Sequence, residues 1–356
     1  MTKLFRLREK MKERSLDAIF IHNEQNQLYL TDFAFSDGLL LITLEKAFLI
    51  TDFRYYEAAL ESANKDFTVV QPKKRKEFIE GELILAKIVK AGFEDGHLSY
   101  ADYKGLSSSF PSVIFEGIGD TLTVMRQIKT AAEIKKIQAA QDIADKAYSH
   151  LLNMLTPGMT EREVALEIDY AMRKFGADGS AFETIAVSGD ASAIPHGTPR
   201  NVKLKNGFLT VDFGARLNGY LSDMTRTVVI GKASEEMKRL YNTVLSAQLA
   251  ALDFLREGVD CGEADKVARD IIDAVPEYKG SFGHSLGHSI GLLVHESPSL
   301  SPRSFGTRLK CGMISSVEPG IYLFGKYGCR IEDLVAIEEE GIHNFTKSTK
   351  ELIEIY

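Results

Sequence analysis

A chain of 356 residues with 44% hydrophobic side chains is long enough for about two domains with well-formed cores. Its net charge of −7, from 50 acidic against 43 basic residues, gives no electrostatic footprint for nucleic acid. No stretch reaches the roughly eighteen apolar residues of an ordinary membrane span, and the amphipathic MTKLFRLREKMKERSLDAIF lacks the apolar core of a signal peptide.

In chain order, residues 1–16 read as a helix, and LDAIFIH and GLLLITLEKAFLITD as strands, the latter two joined around Leu44-Glu45-Lys46. Helices are expected over 53–64 and 76–91. This alternation predicts an α/β domain over residues 1–125, with a second domain over 126–356. A long charged helix opens the second domain in IKTAAEIKKIQAAQDIADKAYSHLLNML, with apolar residues at helical spacing, and should pack outside a sheet. Thr160 is placed as the N-cap of the next helix, with Glu163 completing a capping box. MKRLYNTVLSAQLAALDFLREG adds another helix. With no low-complexity tract or extended linker, the two domains are expected to pack together, and the second is read as α+β.

Chemistry concentrates in the second half. Asp212 lies in VDFG, Asp223 in SDMTRT, Glu318 in SVEPGIY and Glu332 in CRIED. Carboxylates inside apolar, strand-like runs are costly to bury unless each meets a cation. Asn218-Gly219, the strongest tight-turn dipeptide, separates the two aspartates, which should therefore face each other across two strands. Phe324-Gly325-Lys326 plays the same part between the two glutamates. Two hairpins that each deliver two carboxylates suggest an internally duplicated architecture. Four carboxylates with the imidazole of His288 form a mostly hard donor set that suits two divalent ions better than one structural zinc, and two metals imply hydrolysis.

His284, His288 and His295 are interleaved with Gly283, Gly287 and Gly291. His284-x-x-x-His288 does not form the helical pair of a zinc protease, because Ser285 stands where Glu is needed and the glycines disfavour a helix. Glycines here would let the backbone approach a ligand or metal closely. His196, in Ile194-Pro195-His196-Gly197, falls in a turn ahead of the first hairpin. The cysteines Cys261, Cys311 and Cys329 form no C-x-x-C pair and are odd in number, so a reducing cytoplasm is the simplest setting. Cys329 reads as a buried strand residue.

The series FETIAVSGDASAIPHG, VDFGARLNGYLSDMTRTVVIG, GHSLGHSIGLLVHESP, SSVEPGIYL and GCRIED resembles the metallopeptidase family of Xaa-Pro aminopeptidases, Xaa-Pro dipeptidases and methionine aminopeptidases, from about residue 127 to 356. TDFRYYEAA and its surroundings resemble the creatinase-type N-terminal domain of the proline-directed members. The resemblance implies a pita-bread catalytic domain, a homodimer, and small peptides with proline second as substrates. It implies that Asp212, His288 and Glu318 each bind an ion while Asp223 and Glu332 bridge two, with Arg330 orienting Glu332 from behind. Glu318 would act as general base, His284 and His295 would steady the scissile carbonyl, and His196 would contact substrate. Manganese is the expected metal, with cobalt, zinc and iron as alternatives. Between the two proline-directed activities the reading favours the aminopeptidase, with the dipeptidase as its alternative; a noncatalytic peptide-binding relative is a remote third.

Overall fold

The computed structural model describes residues 2–356, which divide into two compact units on either side of the Arg126–Gln127 bond. In the first, α1 (Lys3–Glu13), β1 (Ala18–Ile21), α2 (Glu24–Thr31), β2 (Leu39–Thr43), β3 (Ala47–Ile50), α3 (Tyr56–Ser62), β4 (Thr68–Val70), α4 (Arg75–Leu85), β5 (Lys90–Phe93), α5 (Tyr100–Ser109), β6 (Ile114–Gly117) and α6 (Thr121–Gln127) follow in order. The strands form one mixed sheet in the order β4-β3-β2-β1-β5-β6. Its central strands are buried along their whole length, as sheets covered on both faces require. The helix expected over 76–91 stops at Leu85. Lys87 turns left-handed at φ 52°, and Lys90–Phe93 instead pairs in parallel with β1 and β6. Gly92 explains the switch: a Cβ there would stand 2.7 Å from the Ile118 side chain, so only glycine lets this strand close on its neighbours.

The second unit runs one plan twice. Helices α7 (Ala131–Met154) and α8 (Glu161–Lys174) precede β7 (Gly179–Ser180), β8 (Ile185–Ser188), β9 (Gly207–Phe213), β10 (Ala215–Leu217), β11 (Tyr220–Leu221) and β12 (Met224–Ile230). Helices α9 (Glu235–Phe254) and α10 (Cys261–Asp273) then precede β13 (Gly287–Ser289), β14 (Glu296–Leu300), β15 (Ile314–Val317), β16 (Gly320–Leu323), β17 (Tyr327–Arg330) and β18 (Asp333–Ile337). Short strands β19 (Ile342–Asn344) and β20 (Glu354–Ile355) close the chain, β20 lying parallel to β12. The second helix of each pair starts alike. Thr160 caps α8 in the expected capping box with Glu163 and bridges to Lys203, while Asp260 caps α10 and bridges to Arg308. Each half has its own apolar core, one around Ile168, Val211 and Phe213, the other around Leu240, Ala268 and Val317.

The halves are clasped at their strand ends. Arg226 of β12, buried, ion-pairs with buried Asp333 of β18 at 2.8 Å and donates to the backbone carbonyls of Glu332 and Ser348. Thr227 Oγ1 donates to the Arg330 carbonyl at 2.9 Å. These contacts bring the end of the first ladder against the glutamate hairpin.

Candidate metal centre

Register sets the carboxylates. β9 and β12 pair antiparallel with Asp212 opposite Thr225, and Asp223 stands immediately before β12. The aspartates are therefore offset by two positions along the ladder rather than directly opposed, as the turn dipeptide alone had suggested. The turn itself is as expected: Asn218 at φ 50° and Gly219 at φ 80° join β10 to β11. Between β9 and β10 the chain passes close to Ser222 at Gly214, where a Cβ would stand 1.9 Å from the Ser222 carbonyl oxygen. In the second ladder, Val317 pairs with Asp333 and Gly320 with Arg330, so Glu318 and Glu332 lie between them on one continuous register and face each other.

One cavity of about 670 Å³ is lined by Asp212, Asp223, His288, Glu318 and Glu332, and by His196, His284, His295 and Arg330. Ligand atoms of Asp223, His288 and Glu332 all lie within 4.8 Å of one another. His288 Nε2 is 3.3 Å from Glu318 Oε1 and 3.7 Å from Asp223 Oδ2. Its Nδ1 faces the Ser289 carbonyl at 3.2 Å, so the proton sits there and Nε2 keeps its lone pair for a cation. The ring of His295 lies 4.4 Å from that of His288, and His196 is exposed in a turn.

Two expectations change. Arg330 does not hold Glu332: its Nη2 pairs with Asp212 Oδ2 at 2.6 Å, while Thr225 Oγ1 donates to Glu332 Oε2 at 2.7 Å. The fork of Arg330 also donates to the Tyr322 hydroxyl at 2.8 Å, and that hydroxyl is 2.9 Å from His284 Nε2. Because Arg330 can only donate, the Tyr322 proton points at His284, whose Nδ1 faces the Ser285 carbonyl at 2.9 Å. Both ring nitrogens of His284 are thus engaged, and it has no N–H to offer a substrate. The glycine reading changes as well: a Cβ at Gly287 would stand 1.9 Å from the Ser316 carbonyl oxygen, so this glycine serves strand packing against β15 and not a ligand. Thr225 and Tyr322 carried no sequence signal. Their roles depend on which strand faces which.

The electrostatics call for a cation. Burial, then the charges of Asp212 and Glu318, pushes the Asp223 carboxyl well above its ordinary range, and burial with Asp223 does the same to Glu332. Glu318 is raised to about 7, chiefly by burial. Burial also lowers the three histidines, His284 to about 4. Arg330 alone does not neutralise this cluster. Asp212 Oδ1 is buried with no hydrogen-bond partner, a cost that a coordinated ion would remove. The donor set fits divalent metal.

A buried cage of hard donors at the floor of a cleft is the site of a metal-dependent hydrolase. Residues 135–339 match the model of metallopeptidase family M24, and residues 3–128 that of the creatinase/prolidase N-terminal domain. The chain belongs to metallopeptidase family M24, with a creatinase-type N-terminal domain ahead of the pita-bread catalytic domain, and divalent metal ions go with that family. It is 38% identical to an Xaa-Pro dipeptidase of Pyrococcus horikoshii over 99% of this chain and 98% of that one. The solved structure of an Xaa-Pro dipeptidase from Bacillus anthracis superposes with a TM-score of 0.94 at 40% identity, covering 99% of both chains. An X-Pro aminopeptidase structure from Thermotoga maritima superposes at 0.91 with 36% identity over all of both chains. No helix among the described residues is long and apolar enough to cross a membrane.

Proposed function

We propose that the chain is an Xaa-Pro dipeptidase that uses two divalent ions, manganese by preference, held by Asp212, Asp223, His288, Glu318 and Glu332. The observation that carries the reading is the convergence of these four carboxylates and one imidazole in a single cavity, with Asp212 Oδ1 buried and unpartnered. Relatives named for the dipeptidase, alike over nearly the whole chain, favour it over the aminopeptidase that the sequence had put first. The aminopeptidase stays as a second reading because of the Thermotoga maritima structure.

When bound, the ions supply Lewis acidity towards the peptide carbonyl and towards water. Glu318, facing the centre of the cage, takes the proton of the attacking water and returns it to the prolyl nitrogen as the bond breaks. Asp223 and Glu332 would help hold the ions, with Thr225 fixing the Glu332 carboxylate. Asp212, steadied by Arg330, is free at Oδ1 to meet an ion or the substrate's amine, which restricts cleavage to the first bond. His295 donates to the carbonyl oxygen where negative charge develops. His284 works through Tyr322, keeping its hydroxyl against Arg330. A prolyl nitrogen has no N–H to anchor, so the ring is held by shape. Phe182, Ile185 and Val294 line the cavity, with His196 beside them. All three cysteines are free, which suits a reducing cytoplasm, and a homodimer is the proposed assembly.

The test is to strip the protein with chelator, reload it with Mn²⁺ and follow Ala-Pro and Ala-Pro-Ala side by side by chromatography. Faster hydrolysis of the dipeptide is expected. Faster release of Ala from the tripeptide would shift the assignment to the aminopeptidase, and no cleavage of either with any divalent metal would sink both.

A further inference from the structure

The catalytic unit buries a lysine that the chemistry above leaves unused. Lys129 lies between α6 and α7, and its side chain is 2% exposed. Its backbone N–H donates to the Gly312 carbonyl at 2.8 Å, which pins the segment to the chain just ahead of β15. Its Nζ reaches Ser289 Oγ at 3.1 Å and Glu296 Oε2 at 3.2 Å, the Glu296 side chain being 3% exposed. Ser289 and Glu296 are register partners across the β13–β14 hairpin, and the register slips between His288 and Ser289. Each is one residue from a histidine of the site, His288 within β13 and His295 immediately before β14. The ammonium therefore ties the two strands together at the point where both histidines leave them.

Neighbouring contacts lock the same place. A Cβ on Gly291, inside the hairpin loop, would stand 2.8 Å from Glu296 Oε2 and 3.2 Å from Lys129 Cε, so the loop closes directly on the ion pair. The Gly291 carbonyl accepts from the Leu221 N–H at 3.0 Å, and Gln127 Nε2 donates to Ser297 Oγ at 3.1 Å. Tyr220, next to Leu221, donates its hydroxyl to Glu133 Oε1 at 2.7 Å, one turn of chain beyond Lys129. A bulged strand is specified weakly by its backbone ladder, and here a buried, charge-assisted pair supplies the missing definition.

We propose that Lys129 is a positioning residue: its ammonium, bridging Ser289 and Glu296, sets the relative orientation of the His288 and His295 imidazoles. The proposal rests on His288 being a metal ligand and His295 a substrate contact. Lysine suits the task, since three rotatable donors on a compact head can serve a hydroxyl and a carboxylate on facing strands.

The test compares the wild type with Lys129→Met, which keeps the length and loses the charge, and with the double variant Lys129→Met/Glu296→Met, which removes both members of the pair and guards against failure to fold. Each is loaded with Co²⁺, its visible absorption spectrum recorded as a direct view of the His288 coordination, and its kcat and KM measured on Ala-Pro and Ala-Pro-Ala. The expected result is an altered cobalt spectrum in the folded variants with kcat lower by about tenfold or more and KM changed by less than about threefold. Either an unchanged spectrum or a kcat within about threefold of wild type overturns it. Inactivity of the wild type on both peptides would count against the assigned activity instead, and the cobalt spectra would still decide the role of Lys129.

Discussion

The aspartate ladder and the glutamate ladder build the same kind of site by different means. In the glutamate ladder, Glu318 and Glu332 lie opposite each other on the register that the flanking pairs Val317–Asp333 and Gly320–Arg330 define, whereas Asp212 and Asp223 are offset, with Gly214 letting the chain close up against Ser222. Each ladder also supplies what the other lacks. Thr225, the register partner of Asp212, holds Glu332, and Arg330 of the glutamate hairpin holds Asp212. A duplicated plan has thus become reciprocal, with each half orienting the other's ligands.

Removing a carboxylate of the proposed metal cage should have the largest effect. Asp223→Asn should lower kcat/KM by more than the roughly 10–100-fold typical of an outer partner, with bound metal reduced when measured by elemental analysis. The crossed supports come next. Arg330→Met and Thr225→Val should each cost about 10–100-fold in activity or metal affinity, and isothermal titration with Mn²⁺ should show the Arg330 loss at the Asp212 side and the Thr225 loss at the Glu332 side. If either change left affinity and rate untouched, the reciprocity would be packing alone. Chelation should lower the melting temperature, because metal binds the native cage and stabilises it by about 2.7 kcal/mol at a hundredfold excess over Kd. Calorimetry with and without Mn²⁺ measures this directly.

The smallest effect sharpens the contrast with a carboxylate whose cation is built in. Burial alone would raise Glu161, but Arg200 at 2.6 Å and the Ser188 N–H at 2.8 Å outweigh it and hold the group below its ordinary range. A depressed carboxylate stabilises the fold above its unfolded pKa of about 4.3, and that contribution is lost as pH falls through the folded value. Glu161→Gln should therefore cost on the order of 1 kcal/mol at pH 7 and progressively less in acid. Denaturant melts at pH 7 and below pH 4 would check the sign.

The cage was legible because its signals are local: acidic residues in apolar runs, a turn dipeptide between two of them, and histidines clustered downstream. The capping box at Thr160 and Glu163 was legible for the same reason. What escaped was set across the fold. The family resemblance implied that Arg330 orients Glu332, yet at the end of β17 its guanidinium reaches Asp212 across the fold. Strand β5 was hidden because Ile79 and Leu83 continue a helical period into a segment whose pairing depends on Gly92 fitting against Ile118. Likewise His284 looked like a donor until Tyr322, which is brought to it by β16, took its second nitrogen.

The crossed supports also bear on the order of assembly. Thr225 and Glu332 are 107 residues apart, and Asp212 and Arg330 are 118 apart, so neither link can form until both halves have folded far enough to meet. Closing such long loops is entropically costly and slow compared with forming either hairpin. High-affinity metal uptake should accordingly lag behind the recovery of secondary structure during refolding, making the ion a late-arriving lock on a finished scaffold and not a nucleus around which it condenses.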